Sequence, residues 1–116
     1  MKFAVSREGT TLVTLHGGSD TTAIDDATEQ LADALATLAT AEAVTDWEIA
    51  DAEVHEHPAG PFDPYTIAVA FTITVPVEAD DAEAATERGA TAIDELLENA
   101  DVKSVSYTSP PTAAAA

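Results

Sequence analysis

From Tyr65 to Val77 every second residue is large and apolar: Tyr65, Ile67, Val69, Phe71, Ile73, Val75 and Val77 alternate with Thr, Ala and finally Pro76. Successive side chains of a strand point to opposite faces, so this run predicts a β-strand with one well-packed face. The residues between, Thr66, Ala68, Ala70, Thr72 and Thr74, are small. They imply a second face that is thinly covered or open to water, as an antiparallel sheet allows. The large residues must then face helices.

The rest of the chain supplies those helices and further strands. Phe3 and Val5, then Val13 and Leu15, alternate with polar or small residues on either side of Arg7-Glu8-Gly9-Thr10, which predicts two short strands joined by a turn. Gly17-Gly18 interrupts the pattern and Ser19 or Asp20 can cap a helix. Ile24, Ala27, Leu31, Leu35 and Leu38 then recur at helical spacing to about Glu42. From Thr45 to His57 the alternation changes face, with Trp47 and Ile49 on one side and Ala50, Ala52 and Val54 on the other, as a bulge near Ile49 would produce. Asp80 and Glu83 form a capping pair before a second helix with inner stripe Ala85, Gly89, Ile93 and Leu96 or Leu97, where Gly89 permits close packing. A last strand is predicted over Val102 to Tyr107. Ser109-Pro110-Pro111-Thr112 and four alanines follow as an extended tail.

The expected architecture is α+β, one domain over residues 1–108 with a Pro/Ala-rich C-terminal tail over 109–116. Without the extra N-terminal strand, the order resembles the βαββαβ of ferredoxin-like sandwiches, in which two helices cover one face of an antiparallel sheet. The full expectation is a β-hairpin followed by αββαβ. The resemblance is one of topology, and that architecture serves many unrelated functions.

Charge bounds the setting. Twenty-two Asp and Glu stand against four Lys and Arg, a formal charge of −18 on 116 residues. Such a chain repels itself in dilute buffer and is favoured where concentrated salt shortens the Debye length to ~3 Å near 1 M. With its many alanines and threonines and only Asn99 and Gln30 as amides, it resembles the proteins of halophilic archaea and their viruses. Disorder is not expected, because 46% of the residues are apolar and periodic. No cysteine is present, which removes disulfides, thiolate metal sites and cysteine nucleophiles. The first residues carry no apolar run like a signal peptide, and no stretch approaches the ~18 apolar residues that span a bilayer. The expected location is the cytoplasm of a high-salt organism, or a virion. Four scattered cations make no basic patch, so neither nucleic acid nor membrane is an expected partner.

Two segments carry chemistry. Glu53, His55 and His57 sit two residues apart, which on a regular strand places them on one face ~7 Å apart, a ligand set suited to a divalent metal, with His16 able to approach. A solvated outer face is the plainer reading. Pro58, Pro61, Phe62, Pro64 and Tyr65 lie at the tip of the central hairpin, whose long strands would carry them beyond the helices as an apolar arm for another subunit. A surface loop folded back on the sheet is the alternative. Gly17-Gly18-Ser19 could offer backbone N–H groups to a phosphate, but Asp20, Asp25 and Asp26 would repel it, and a helix start suffices. No nucleophile motif occurs.

No enzyme and no cofactor is expected. The leading expectation is a non-catalytic structural or interaction protein of a halophilic archaeon or its virus, a subunit of a homo-oligomer such as a capsid or tail component. The alternative is a ferredoxin-like small-ligand or metal-binding regulatory module. An acidic mimic of nucleic acid is a third reading, less economical because the carboxylates are spread along both helices and strand ends.

Overall fold

The computed structural model describes residues 1–16, 18–60, 63–102 and 104–116. Seven elements follow in order: β1 (Lys2–Leu15), α1 (Asp20–Thr40), β2 (Asp46–Glu56), β3 (Tyr65–Glu78), α2 (Ala82–Asn99), β4 (Ser106–Tyr107) and β5 (Thr112–Ala115). The fold is α+β, with a five-stranded antiparallel sheet and two helices. Its strand order is β2-β3-β1-β4, with β5 also paired to β1. Among the described residues no helix is long and apolar enough to cross a membrane.

The predicted N-terminal hairpin is replaced by one unbroken strand. β1 pairs with β3 from Lys2↔Glu78 to Leu15↔Tyr65 without a slip, straight through Arg7-Glu8-Gly9-Thr10. Gly9 is there for proximity rather than for a turn: a Cβ at this position would lie 3.2 Å from Cζ of Phe71 and 3.3 Å from the Ser106 carbonyl oxygen. The odd positions of β1 therefore stay on the core side throughout, and the apparent gap in the apolar pattern is where Phe71 fills the space.

One core joins the odd residues of β1 and β3 to the helices. Phe3, Val5, Ile67, Val69, Phe71, Ile73 and Val75 are buried with Ala23, Ala27, Leu31 and Leu35 of α1 and Ala85, Ile93 and Leu97 of α2. Burying a side chain of the Leu or Phe class contributes roughly 1.5–3 kcal/mol. The alanines and Gly89 bring the helices close: a Cβ on Gly89 would lie 2.4 Å from Cγ1 of Val5. On the other face, the even residues of β1 and β3 are half-buried or exposed, as their size predicted.

The bulge expected near Ile49 is present, with a register shift between Ile49 and Asp51. It leaves Trp47 and Ile49 opposite Ile73 and Phe71, and Ala52 and Val54 opposite Val69 and Ile67. All four thus return to the core face, with Ala50 the extra residue.

Helix boundaries differ from the expectation by one or two residues. α1 starts behind Ser19, whose Oγ accepts from the Thr22 N–H (3.2 Å), and ends at Thr40. The cap of α2 is Asp81, not Asp80, with Oδ1 accepting from the Ala84 N–H at 2.8 Å. Both helices close in the same way. The Ala43 N–H donates to the Leu38 carbonyl and the Val102 N–H to the Leu97 carbonyl, around left-handed Glu42 (φ 63°) and Asp101 (φ 60°).

Candidate interaction edge

The outer edge of β1 is divided into a covered and an uncovered part. β5 covers the first part antiparallel, from Phe3↔Ala115 to Ser6↔Thr112. β4 covers Gly9 and Thr10, opposite Tyr107 and Ser106. From Tyr107 to Thr112 the outer chain advances five positions while β1 retreats three, from Gly9 to Ser6. The surplus is absorbed at Ser109-Pro110-Pro111. Glu8 holds this kink from the sheet, its carbonyl accepting from the Thr108 N–H (3.0 Å) and its N–H donating to Ser109 Oγ (3.3 Å). Arg7 holds it from the helix side: Nε donates to the Ser109 carbonyl (3.2 Å), and the guanidinium carbon stands 3.8 Å from the centre of the Tyr107 ring. The Tyr107 hydroxyl donates to Asp94 of α2. Burial first, then the bond to the Asp94 carboxylate and its charge, raise the Tyr107 pKa, with Arg7 opposing.

Beyond Thr10 no strand covers β1 among the described residues. The predicted last strand from Val102 is reduced to Ser106–Tyr107. Its earlier part is diverted by the cap of α2, because the Val102 N–H is committed to the Leu97 carbonyl at 2.9 Å. Ser104 (φ 55°) then turns the chain again. What remains is a cavity of about 670 Å³ between the β1 edge, α1 and the residues Ala100, Asp101, Val102 and Ser104, lined also by Leu12, Thr14, Gln30 and Asp33.

The metal row predicted at Glu53, His55 and His57 loses its regular spacing. A second bulge falls between Val54 and Glu56, which pair with Ile67 and Thr66, so His55 is the extra residue and Glu56 takes the place in register that His55 would have had. His57 turns to α1, with Nε2 3.3 Å from Asp20 Oδ2, both groups more than half exposed. Its ring meets Tyr65 edge-on at 6.3 Å. Partial burial and the Asp20 carboxylate raise the Tyr65 pKa. Among the described residues no group of three His, Asp or Glu side chains is placed to hold a metal ion. His16 is exposed, just past the Leu15↔Tyr65 pair.

Of the predicted arm, Pro61 and Phe62 lie outside the described residues. Pro58 and Pro64 are half-buried, and Tyr65 is the first residue of β3. The Asp20–His57 contact ties the base of this connection to the start of α1. Sequence reasoning passed over the β1 edge, because it read residues 3–15 as a hairpin of two short strands and residues 102–107 as a strand. Comparison of the chain with protein-family models, curated proteins and solved structures found no match.

Proposed function

We propose that this chain is a non-catalytic structural or interaction protein of a halophilic archaeon or its virus, a subunit of a homo-oligomeric assembly such as a capsid or tail component. Its frame is a ferredoxin-like sandwich: omitting β5, the elements run βαββαβ and the sheet order is β2-β3-β1-β4. The observation that carries the reading is the sheet face turned away from the helices. There Ala4, Ser6 and Thr10 of β1 and Ala70, Thr72 and Thr74 of β3 are half-buried and small, with exposed Glu8 among them opposite Thr72. Ser6 and Thr74 satisfy one another across the strands (Oγ to Oγ1, 2.8 Å). A face of such small residues suits close apposition to the same face of a second copy, in the two-fold manner usual for homodimers, once salt screens Glu8 near its centre. Its β2 margin carries Asp46, Glu48, Asp51, Glu53 and Glu56, all exposed. Two such margins repel at low ionic strength and are screened in concentrated salt.

The test is light scattering from about 0.1 to about 3 M KCl, which spans strong to nearly complete screening of surface charge. Mass is expected to rise to a defined oligomer as salt increases, and Ala70→Glu, at the centre of the face, should return it to monomer without lowering the melting temperature by more than a few degrees. A native chain that stays monomeric throughout would sink the proposal.

A further inference from the structure

We propose that the uncovered edge of β1 at Leu12 and Thr14, with the cavity beside it, is a strand-addition site for an extended peptide carrying lysine or arginine, bound antiparallel to β1. This goes beyond homo-oligomer formation and uses another surface.

The backbone sets the requirement. Along an antiparallel strand the N–H and C=O groups of alternate residues point to opposite neighbours. On β1 the even residues serve the outer edge: the Lys2 carbonyl accepts from Ala116, and the Glu8 carbonyl and N–H engage Thr108 and Ser109. The pairing of β1 with β3 has no slip, so the parity persists and Leu12 and Thr14 present their N–H and C=O groups outward, where β4 no longer runs. The chain's own next segment is kept from this place by two features, the Val102 N–H serving the α2 cap and left-handed Ser104 turning the chain. Four residues of β5 already use the same edge at Phe3 to Ser6. Extended backbone therefore fits this edge.

The chemistry of the walls selects the occupant. The cavity of about 670 Å³ falls in the ~300–1,000 Å³ range of ligand pockets. Its ionisable lining among the described residues is Asp33 and Asp101, with Leu31 and Val102 as apolar floor. Peptide side chains opposite Thr11 and Val13 would point to the helix side, towards Asp33, whereas the one opposite Leu12 would lie on the open face. A cation at the inward positions is thus matched locally, and the charge of −18 attracts it at long range. A second copy pairing through the same edge would instead bring two sets of these carboxylates together.

The probe is acetyl-Thr-Lys-Val-Lys-Thr-amide added to the full ¹⁵N-labelled chain, beside a Glu-for-Lys version and a version N-methylated along one edge. The Lys peptide should shift the Leu12 and Thr14 amides and saturate near or below about 1 mM, at least about tenfold tighter than the Glu peptide, while the N-methylated one leaves them unmoved. Asp33→Asn with Asp101→Asn should reduce the preference for Lys over Glu to what the remaining net charge supplies, and leave the fold intact by its melting temperature. The proposal is overturned if those two amides do not shift, if all three peptides bind alike, or if the amides are as protected from exchange in the free protein as that of Thr10. Shifts that follow protein concentration instead of peptide would assign the edge to a second copy, and would equally overturn it. Ala70→Glu removes assembly through the other face and leaves the β1 edge in place, so peptide binding read in that variant keeps the two failures distinguishable.

Discussion

The two halves of β1 share a strand, a partner on the inner side and the same alternation, yet their outer edges are handled in opposite ways. At Phe3 to Ser6 the edge is closed by β5, four residues of Thr and Ala, and α2 presses Gly89 onto Val5 beneath it. At Leu12 to Thr14 the edge is left open, and the chain that should close it is drawn off by the cap of α2 and by left-handed Ser104. An open strand edge is ordinarily a liability, since its N–H and C=O groups template association. Here a segment is spent on closing one half and withheld from the other, and the open half is the one that the proposed strand addition would use.

The largest effect is expected in the closed half. Gly89→Ala would gain up to about 1 kcal/mol of helix propensity. Its Cβ, however, would lie between 2.4 and 2.7 Å from three side-chain carbons of fully buried Val5. Overpacking of this kind costs about 1–3 kcal/mol, and a contact so short in a rigid sheet belongs at the upper end, leaving a net loss near 2 kcal/mol in denaturant titration. Val5→Ala removes the contacts to Cγ1 and Cγ2 and leaves the one to Cβ at 2.5 Å, so the double variant should lose somewhat less than the sum of the single losses. Strict additivity would mean that the helix is not held against this half of β1.

Next in size is removal of Thr112–Ala116, which makes the two halves alike. Four cross-strand positions are lost and Ala113 is withdrawn from the core. The expected cost is about 1–2 kcal/mol, with concentration-dependent association through the newly bared Phe3 to Ser6 edge. Unchanged stability and mass would show that β5 does not protect the sheet.

How much of this was legible follows from where the signals live. The alternation of Tyr65 to Val77, the helical stripes and the bulge after Ile49 are side-chain patterns, and each appears in the structure. The N-terminal hairpin was misread because Gly9 in a polar run looks like a turn, whereas its role is to admit the Phe71 ring, a partner 62 residues away whose presence no local pattern announces. The ends of both helices were blurred because Glu42 and Asp101 occupy the left-handed position where glycine is the usual signal. The same event hid the candidate site: with no glycine at Asp101, residues 102–107 read as one strand. At the other end, the bulge that displaces His55 comes immediately after Val54, when only Ala52 and Val54 have resumed the pattern, too short a stretch for alternation to record.

A smaller effect is expected at Tyr107, the last residue of β4 and the boundary between the two halves. Tyr107→Phe keeps the ring under Arg7 and removes the hydroxyl that donates to Asp94. The loss should be about 1 kcal/mol or less at neutral pH. Because the native state raises the pKa of this phenol, it favours the protonated form. The associated stability is fully present below the unfolded value of about 10 and is lost as pH rises from there through the raised native value. Tyr107→Phe should therefore flatten the alkaline limb of a stability-versus-pH curve above about pH 10, while an unchanged limb would place the Tyr107 proton outside the folding equilibrium.

The smallest change in stability should come from Ser104, although it bears most directly on the open half. A left-handed serine carries a strain that glycine does not, so Ser104→Gly should gain about 0.5 kcal/mol after the unfolded-state entropy of glycine is deducted, and leave the edge as it is. Ser104→Val acts in the opposite sense, because a β-branched residue strongly disfavours φ near 55° and favours extended backbone. Continuing the Thr10↔Ser106 register, residue 104 then falls opposite Leu12, and can close the edge without disturbing the Val102–Leu97 bond of the cap. Hydrogen exchange at the Leu12 amide should slow in Ser104→Val and remain fast in Ser104→Gly. If both variants exchange at the native rate, the left-handed serine is not what keeps this half of β1 open, and the α2 cap alone must account for the difference between the two halves.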